Sequence, residues 1–321
     1  MKIAVLKGGR SLERQVSLRS GARVEDALVR LGHAVVPIDV GPDLVDRLRA
    51  EPPDVAFVAL HGRGGEDGTV QELLEVLGVP YTASGPSACQ RCMDKVLAKH
   101  AMRDAGIPTP DFHAFAQAAF GELGAAKALP AIEQALTFPI VVKPAAQGSA
   151  LGLKLARRPD ELPAAIVSAF SYDTKVLLER HVEGRDIAVS VLEGPEGPQA
   201  LPLVEATPDA GDYDFEARYE IGRTRFTCPA DVPAEVAERA EELALATYAT
   251  LGCYGFARVD LMLDASSGEL SVLEANAIPG LTETSLLPLA AEAAGISFDE
   301  LIARVVELAV TRAARRPAGA R

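Results

Sequence analysis

Two short segments near the C-terminal end place oxygen-bearing side chains at alternating positions. Arg258–Asp260 and Glu274–Asn276 lie in runs of β-forming residues, and residues 264–269 between them have turn composition, which predicts an antiparallel hairpin. Side chains alternate between faces along a strand, so Asp260 and Glu274 should oppose each other. Two facing carboxylates repel unless positive charge lies between them. Because these side chains offer only hard oxygen ligands, we favour a Mg²⁺ site that also holds substrate phosphates over a solvated polar face.

Three loops have compositions that suit ligand binding. His61–Gly68 follows a predicted buried strand, and its four glycines allow close backbone approach, although a tight turn explains the string equally well. Lys143–Gly152 places a lysine at a strand end beside small residues that can fold over phosphates, with an ordinary hairpin loop as an equal alternative. The Pro279–Gly280 turn can present backbone N–H groups to developing negative charge. Neither His61–Gly68 nor Gly8–Ser11 has the spacing of a Walker loop or a dinucleotide fingerprint.

The composition narrows the class of protein. The 321-residue chain carries a formal net charge of −13, which argues against a general nucleic-acid binder, since such proteins present basic stripes. No segment approaches the roughly 20 apolar residues of a membrane span, and the apolar run after Met1 is too short for a signal peptide. We therefore expect a cytoplasmic protein. Cys89 and Cys92 have redox spacing without a second ligand pair, and we interpret them as small residues on a helix face.

The pattern of elements predicts two or three packed units. The first 95 residues or so alternate strand and helix patterns, which indicates a parallel α/β sheet. Thr69 is expected to cap a helix, a helix is expected around 93–105, the alanine-rich stretch 120–136 is expected to be helical, and an irregular loop is expected over 206–223. Strands are predicted at 2–6, 33–40, 55–60, 79–81, 140–143, 153–155, 176–179 and 186–192, before the hairpin. The other helices are predicted at 16–31, 43–50, 70–77, 160–170, 234–251, 287–294 and 298–314.

Seven strings that follow one another along the chain carry a family resemblance. They are Gly8–Leu18, Ala59–Thr69, Met93–Lys95, Lys143–Gly152, Tyr213–Tyr219, Arg258–Asp260 and Glu274–Ser285. Together they resemble the D-alanine–D-alanine ligase family of the ATP-grasp fold over about residues 2–310, and His61–Gly68 is the most specific of them. The resemblance implies an α/β fold with α+β character in the ATP-grasp part. It implies an N-terminal parallel-sheet domain (1–95), a central ATP-grasp lobe (96–181) and a C-terminal lobe with the metal site (182–321).

The resemblance also implies residue roles at a nucleotide and metal site. The expected ATP ligands are Lys95 and Lys143 on the phosphates, Glu179 and the backbone of Arg180, His181 and Val182 on adenine, and Asp186 on the ribose. Two Mg²⁺ ions, which Mn²⁺ can replace, would be held by Asp260, Glu274 and Asn276. Arg258 and the Gly280 amide would form the oxyanion hole.

A second group of implied roles concerns the two amino-acid substrates. Glu13 would meet the ammonium of the first substrate, with His61 close by, and would form a hydrogen-bonded triad with Ser149 and Tyr219. Arg218 and Ser285 would take the carboxylate of the second substrate. Arg218 stands where lysine is usual, which changes the geometry of the charge. The other departures from the family pattern are Gln15, Ala146, Gln147, Ala150, Asp186 and Ala277.

The implied activity is ATP-dependent ligation of two D-alanines to D-alanyl-D-alanine through an acyl-phosphate, for peptidoglycan precursor synthesis. The resemblance implies a homodimer whose partners are D-alanine and ATP, with neither nucleic acid nor membrane among them. One alternative is an ATP-grasp ligase for another pair, such as D-alanine and D-lactate. Another is a nucleotide-binding relative without catalysis. Tyr219 favours an amine acceptor, because the lactate type generally lacks it, and the intact metal ligands favour an enzyme.

Overall fold

The computed structural model describes residues 1–209 and 222–315, and the chain begins with a parallel sheet. Its strands are β1 (Lys2–Lys7), β2 (Ala34–Asp39) and β3 (Val55–Val58), ordered β2-β1-β3. The helices of this part are α1 (Arg14–Arg30), α2 (Leu44–Ala50), α3 (Thr69–Leu77), α4 (Pro86–Met93) and α5 (Lys95–Asp104). The central strand is an apolar run buried on both faces, as is usual in parallel sheets. The predicted parallel α/β sheet is confirmed, although the expected strand 79–81 is reduced to a single bridge between Tyr81 and Ala56.

Two expected helix starts differ from the observed ones by one or two residues, and an aspartate contacts the start of each helix. Thr69 is the first residue of α3 rather than its cap, because the Asp67 carboxylate already accepts the Thr69 N–H at 3.1 Å. The helix expected around 93–105 is confirmed as α5, which begins after Asp94, whose carboxylate accepts the N–H groups of Val96 and Leu97. Capping satisfies N–H groups that have no partner in the first helical turn. Lys95 is therefore the first residue of a new helix.

The middle of the chain forms an antiparallel sheet with helices on it. Its elements are β4 (Phe112–Ala116), α6 (Gln117–Glu122), α7 (Leu129–Leu136), β5 (Ile140–Pro144), β6 (Lys154–Ala156), α8 (Leu162–Phe170) and β7 (Lys175–Arg180). The strand order is β4-β7-β5-β6. The continuous helix expected over 120–136 is wrong, because the chain takes a left-handed conformation at Gly124, with φ of +67°. Strand β4 was not expected; it pairs with the edge of β7.

The rest of the described chain builds the larger sheet, whose strand neighbours are antiparallel. Its elements are β8 (Gly184–Gly194), β9 (Gly197–Ala200), β10 (Val204–Pro208), β11 (Thr224–Thr227), α9 (Ala234–Leu251), β12 (Phe256–Asp264), β13 (Leu270–Asn276), α10 (Leu286–Ala293) and α11 (Phe298–Arg315). The strand order is β11-β10-β8-β12-β13, with β9 on β8. The loop expected from residue 206 begins later than predicted, because β10 continues to Pro208 in its pairing with β11. The helix expected over 234–251 is confirmed.

The described residues form two large hydrophobic cores and one small cluster, of Val96, Phe112, Ala145 and Leu177, between α5 and the middle sheet. One continuous cluster runs from Ile3 in β1 to Val306 in α11, so the parallel sheet and the larger antiparallel sheet share it. The middle sheet has a separate core, from Leu129 in α7 to Leu178 in β7. Within residues 1–209 and 222–315, no helix has the length and apolar character needed to span a bilayer.

Candidate active site

The hairpin of β12 and β13 holds the predicted acidic pair in the predicted register. Asp260 lies directly opposite Glu274, and Arg258 lies opposite Asn276. The register shifts immediately after Asp260, between Asp260 and Leu261. Such an irregularity bends a strand and can re-aim the adjacent side chain. The sequence therefore placed these four side chains correctly on one face of the hairpin.

Protein side chains supply positive charge to both carboxylates. The Lys95 Nζ lies 3.0 Å from Glu274 Oε2, and the Arg258 guanidinium donates two hydrogen bonds to Asp260, at 2.7 and 2.9 Å. Lys95 also donates to the backbone oxygen of Gln147 at 2.7 Å. Helix α5, the loop after β5 and the hairpin thus meet at one ammonium group. The repulsion between the facing acids is relieved here without any further ion.

The donor chemistry of this face nevertheless fits Mg²⁺. Asp260, Glu274 and Asn276 offer oxygen ligands only, and Asn276 Oδ1 accepts the Ile278 N–H at 2.9 Å, which fixes the direction of the amide. Across the described ranges, no three His, Cys, Asp or Glu side chains gather as a metal cluster. Magnesium is commonly held by one or two carboxylates together with substrate phosphates, so two acids and an amide are a sufficient protein contribution.

A cavity of about 440 Å³ lies between the middle sheet and the larger sheet. This volume is in the range of small-molecule and cofactor sites. Apolar side chains from both sheets line it: Val141, Leu153, Leu155, Ile187, Met262 and Leu273. The seven residues expected at the nucleotide also line it, namely Lys95, Lys143, Glu179, Arg180, His181, Val182 and Asp186. Asp260 and Glu274 line the same cavity, so the structure brings the expected nucleotide and metal residues together.

Glu179 is the centre of a buried charge cluster at the wall of this cavity. Lys143 Nζ lies 2.9 Å from Glu179 Oε1, and Lys99 makes an ion pair with Glu179 Oε2. Burial acts to raise the pKa of Glu179, but the charges of Lys143 and Lys99 outweigh it and hold the pKa below its usual value. Sequence reasoning missed Lys99. Its position four residues after Lys95, on the same face of one helix, was the available signal.

A second, smaller cavity of about 40 Å³ adjoins the first. Lys95, Gln147 and Glu274 line both cavities. The smaller one is also lined by Glu13, Glu66, Cys92, Met93, Gly148, Ser149, Arg258, Ala275, Asn276 and Ala277. Its size admits only a small molecule, and Glu274, one member of the acidic pair, is in its wall. The two cavities therefore meet where Lys95 contacts Glu274.

Glu13 is the buried acid of the smaller cavity. Its Oε1 accepts a hydrogen bond from Ser149 Oγ, and its Oε2 is buried without a hydrogen-bond partner among the described residues. Burial, followed by the nearby charge of Glu66, raises the pKa of Glu13 to about 7. An unsatisfied buried carboxylate oxygen is costly unless a donor binds to it. This site therefore suits a cationic or N–H-bearing group.

His61 lies behind the smaller cavity rather than in its wall. Its Nε2 is 3.0 Å from Ser20 Oγ, and its Nδ1 is 3.2 Å from Glu66 Oε1. Both ring nitrogens are thus engaged by protein groups, and Glu66, to which sequence reasoning gave no separate role, is the acid beside Glu13. The expected triad of Glu13, Ser149 and Tyr219 is represented by its first two members. Tyr219 and Arg218 lie outside the described residues.

The turn after β13 is held by its own hydroxyl groups. Ser285 Oγ accepts the Thr282 N–H at 2.9 Å and lies 2.8 Å from Thr282 Oγ1. A Cβ at Gly280 would lie 2.7 Å from Ser285 Oγ, so a side chain at this position would displace the Ser285 hydroxyl. The Leu281 N–H donates to Ser20 Oγ at 3.1 Å. Ser20 links this turn to His61, whereas neither Gly280 nor Ser285 lines the two cavities described above.

Two antiparallel sheets that enclose a cavity lined by lysines and acids define the ATP-grasp class of ligases. The family model described as D-ala D-ala ligase C-terminus matches residues 101–307, and the one described as D-ala D-ala ligase N-terminus matches residues 43–84. The chain belongs to the D-alanine–D-alanine ligase family.

Individual relatives agree along almost the whole chain. A D-alanine–D-alanine ligase of Moorella thermoacetica is 46% identical, over 97% of this chain and 99% of the relative. The crystal structure of the Bacillus anthracis D-alanine–D-alanine ligase complexed with ATP has a TM-score of 0.81 at 33% identity, covering 98% of this chain and 99% of that one. The VanG D-Ala:D-Ser ligase of Enterococcus faecalis has a TM-score of 0.80 at 30% identity, covering 96% and 99%.

Proposed function

We propose that this protein joins two D-alanine molecules to D-alanyl-D-alanine at the expense of ATP, for peptidoglycan precursor synthesis. A carboxylate oxygen of the first D-alanine attacks the γ-phosphorus, which forms an acyl-phosphate and releases ADP. The amine of the second D-alanine then attacks the carbonyl carbon and phosphate leaves. The observation that carries the proposal is the meeting of a nucleotide-sized cavity and a small acidic cavity at Lys95 and Glu274.

The larger cavity is proposed to bind ATP. Lys95 and Lys143 bind the phosphates, Glu179 and the 180–182 backbone bind adenine against the apolar lining, and Asp186 binds the ribose. Asp260, Glu274 and Asn276 would hold two Mg²⁺ ions, for which Mn²⁺ can substitute, and these would neutralise charge on the phosphate oxygens. Phosphoryl transfer between anions needs positioning and neutralisation more than covalent help. Arg258 adds positive charge where the acyl-phosphate carbonyl develops negative charge, together with the Gly280 amide.

The smaller cavity is proposed to bind the first D-alanine through its ammonium group. Glu13 Oε2 is the acceptor for the ammonium, and Ser149 keeps the carboxylate oriented, with His61 and Tyr219 supporting this arrangement. Backbone approaches Glu13 closely at two glycines, because a Cβ at Gly148 would lie 2.6 Å from Glu13 Oε2 and one at Gly62 would lie 2.5 Å from it. Little room is left beyond a methyl side chain. Arg218 and Ser285 are proposed to bind the carboxylate of the second D-alanine.

The family membership also supports a cytoplasmic location, a homodimer and three domains over 1–95, 96–181 and 182–321. The separate core of the middle sheet is consistent with a central lobe that packs on its own. The parallel sheet and the larger antiparallel sheet share one core, which would hold the strands that carry the acidic pair in a fixed position.

We expect phosphate release from ATP when D-alanine and Mg²⁺ are supplied, with D-alanyl-D-alanine as the product. The measurement is a coupled phosphate assay over a panel of D-alanine, D-serine, D-lactate and L-alanine, with the product identified by mass spectrometry. Omitting Mg²⁺ should remove the signal, since the phosphate charge is then neutralised only by side chains. Release with L-alanine and none with D-alanine would overturn the assignment of substrate.

Tyr219→Phe is expected to weaken the selection of an amine as second substrate. If Tyr219 completes the triad with Glu13 and Ser149, loss of its hydroxyl frees the loop that carries it. The expected result is less dipeptide and relatively more ester when D-lactate competes with D-alanine, measured as a product ratio from mildly acidic to mildly basic pH. Tyr172→Phe, a partly exposed tyrosine of the middle sheet region, serves as the control. An unchanged ratio would direct attention to Arg218 and Ser285 instead.

A further inference from the structure

Lys99 is a fully buried cation beside the nucleotide cavity. Its side chain has 0% exposure, and its Nζ contacts Thr109 Oγ1 at 2.5 Å in addition to the ion pair with Glu179. Burial lowers the pKa of Lys99 to about 8, with the charge of Glu179 opposing the shift, so the ammonium is still charged at neutral pH. A well-packed apolar side chain is often as stabilising as one member of a buried ion pair. Packing alone therefore does not account for this lysine.

The two lysines on Glu179 differ in their access to the cavity. Lys143 lines the cavity, whereas Lys99 does not. Lys143 occupies Glu179 Oε1, and Lys99 occupies Glu179 Oε2 from the opposite side. An anion that enters the cavity can therefore attract Lys143 away from Glu179, but it cannot reach Lys99. The carboxylate then keeps one of its two cations.

The different access of Lys99 and Lys143 to the cavity determines whether Glu179 keeps a cation when a ligand binds. Glu179 is 3% exposed, so a loss of all its cations would leave an ionised carboxylate buried without a partner. Removing one partner of a buried ion pair is strongly unfavourable for that reason. With Lys99 in place, Lys143 can turn to a phosphate, and Glu179 Oε1 becomes free to accept an N–H of the base.

We propose that Lys99 is a positioning residue, which keeps Glu179 ionised and fixed while Lys143 exchanges Glu179 for the phosphates of a nucleoside triphosphate. This inference rests on the proposed function, because it takes ATP as the ligand of the larger cavity. It adds a residue that touches neither substrate and acts through Glu179. The role requires a buried positive charge at position 99, and a different cationic side chain at this position can supply it.

The test is a double-mutant cycle on ATP affinity, measured by calorimetry with Mg²⁺ and without D-alanine. Lys99→Met should weaken ATP binding by at least about tenfold, while Lys99→Arg should retain most of the affinity. In the Glu179→Gln background there is no carboxylate for Lys99 to keep ionised and fixed, so adding Lys99→Met should change the ATP affinity by less than about twofold. The double variant removes both members of the Lys99–Glu179 ion pair, so it keeps the test usable even where Lys99→Met alone folds poorly.

The controls distinguish a failure of the role proposed for Lys99 from a failure of the proposed ATP binding. Lys127→Met, at an exposed lysine of the middle region, should leave ATP affinity unchanged. Lys99→Met should raise the KM for ATP while the KM for D-alanine stays within about twofold. An equal loss of ATP affinity in both backgrounds would reduce Lys99 to a packing residue and overturn the inference. Absence of ATP binding by the unmodified protein would instead overturn the proposed function.

Discussion

Glu274→Gln is expected to lower the rate of dipeptide formation by about three orders of magnitude while the protein stays folded. Glu274 lies opposite Asp260 and contacts Lys95 at 3.0 Å, where the two cavities meet. Neutralising it removes negative charge from the proposed metal site and releases Lys95 from its partner. The amide is nearly isosteric, and the side chain is only partly buried, so the thermal midpoint of unfolding should change little. Steady-state phosphate release at saturating Mg²⁺ measures the effect.

Glu269→Gln is the matched control for this change, since Glu269 is exposed in the turn of the same hairpin. It removes the same charge from the same supersecondary unit, far from the facing pair. Near-normal turnover is expected for it. If Glu274→Gln also kept most of the rate at saturating Mg²⁺, the facing acids would be only a polar surface balanced by Lys95 and Arg258.

Glu13→Gln is expected to stabilise the free protein at pH 8 and to impair binding of the first substrate. The pKa of Glu13 is 4.5 in an unperturbed chain and about 7 in the fold. Between these values the folded state holds a proton that the unfolded state has released, so the free energy of unfolding falls as pH rises from 4.5 to 7. Above pH 7 the ionisation of Glu13 has lowered the free energy of unfolding by its full amount, about 3 kcal/mol. Glutamine does not ionise, so the variant does not lose this stability as the pH rises.

The measurement is denaturant unfolding of both proteins, without ligands, at pH 5 and pH 8. The free energy of unfolding of the variant should exceed that of the wild type at pH 8, with a much smaller difference at pH 5. The KM for the first D-alanine should rise by about tenfold to a hundredfold, because the ammonium loses a charged acceptor. Glu51→Gln, at an exposed acid, controls for loss of charge alone. A difference in stability that is the same at both pH values would contradict the raised pKa.

The alternation of side chains along a strand was sufficient to predict the acidic face of the hairpin. Counting alternate residues from a short turn placed Asp260 opposite Glu274, and the observed register agrees. The same count did not reveal what neutralises the pair. Lys95 reaches Glu274 from the start of a distant helix, and Arg258 pairs with Asp260 on its own strand. Such contacts depend on how three units pack, and no sequence periodicity carries that information.

Other misses follow from competing local chemistry. The helix Pro86–Met93, which ends immediately before Asp94, was not predicted, although an aspartate is a strong cap for the helix that follows it. Lys99 lies within the predicted helix without any assigned role, because only tertiary packing buries it against Glu179. Strand β4 forms because β7 has an edge to pair with, which cannot be seen within residues 112–116 alone. The sequence thus predicted most of the side chains of the candidate site. The ion pairs that neutralise its acids could be seen only in the folded structure.

The two hydrophobic cores have a consequence for how the protein resists unfolding. Strands β5 and β7 belong to one core, and β8 and β12 belong to the other, yet residues from all four line the larger cavity. A ligand there contacts strands from both large cores and so adds a link between them across the cavity. At a ligand concentration a hundred times its Kd, this linkage contributes about 2.7 kcal/mol to the native state. The nucleotide that the enzyme consumes would then also be part of what keeps its middle sheet attached and folded.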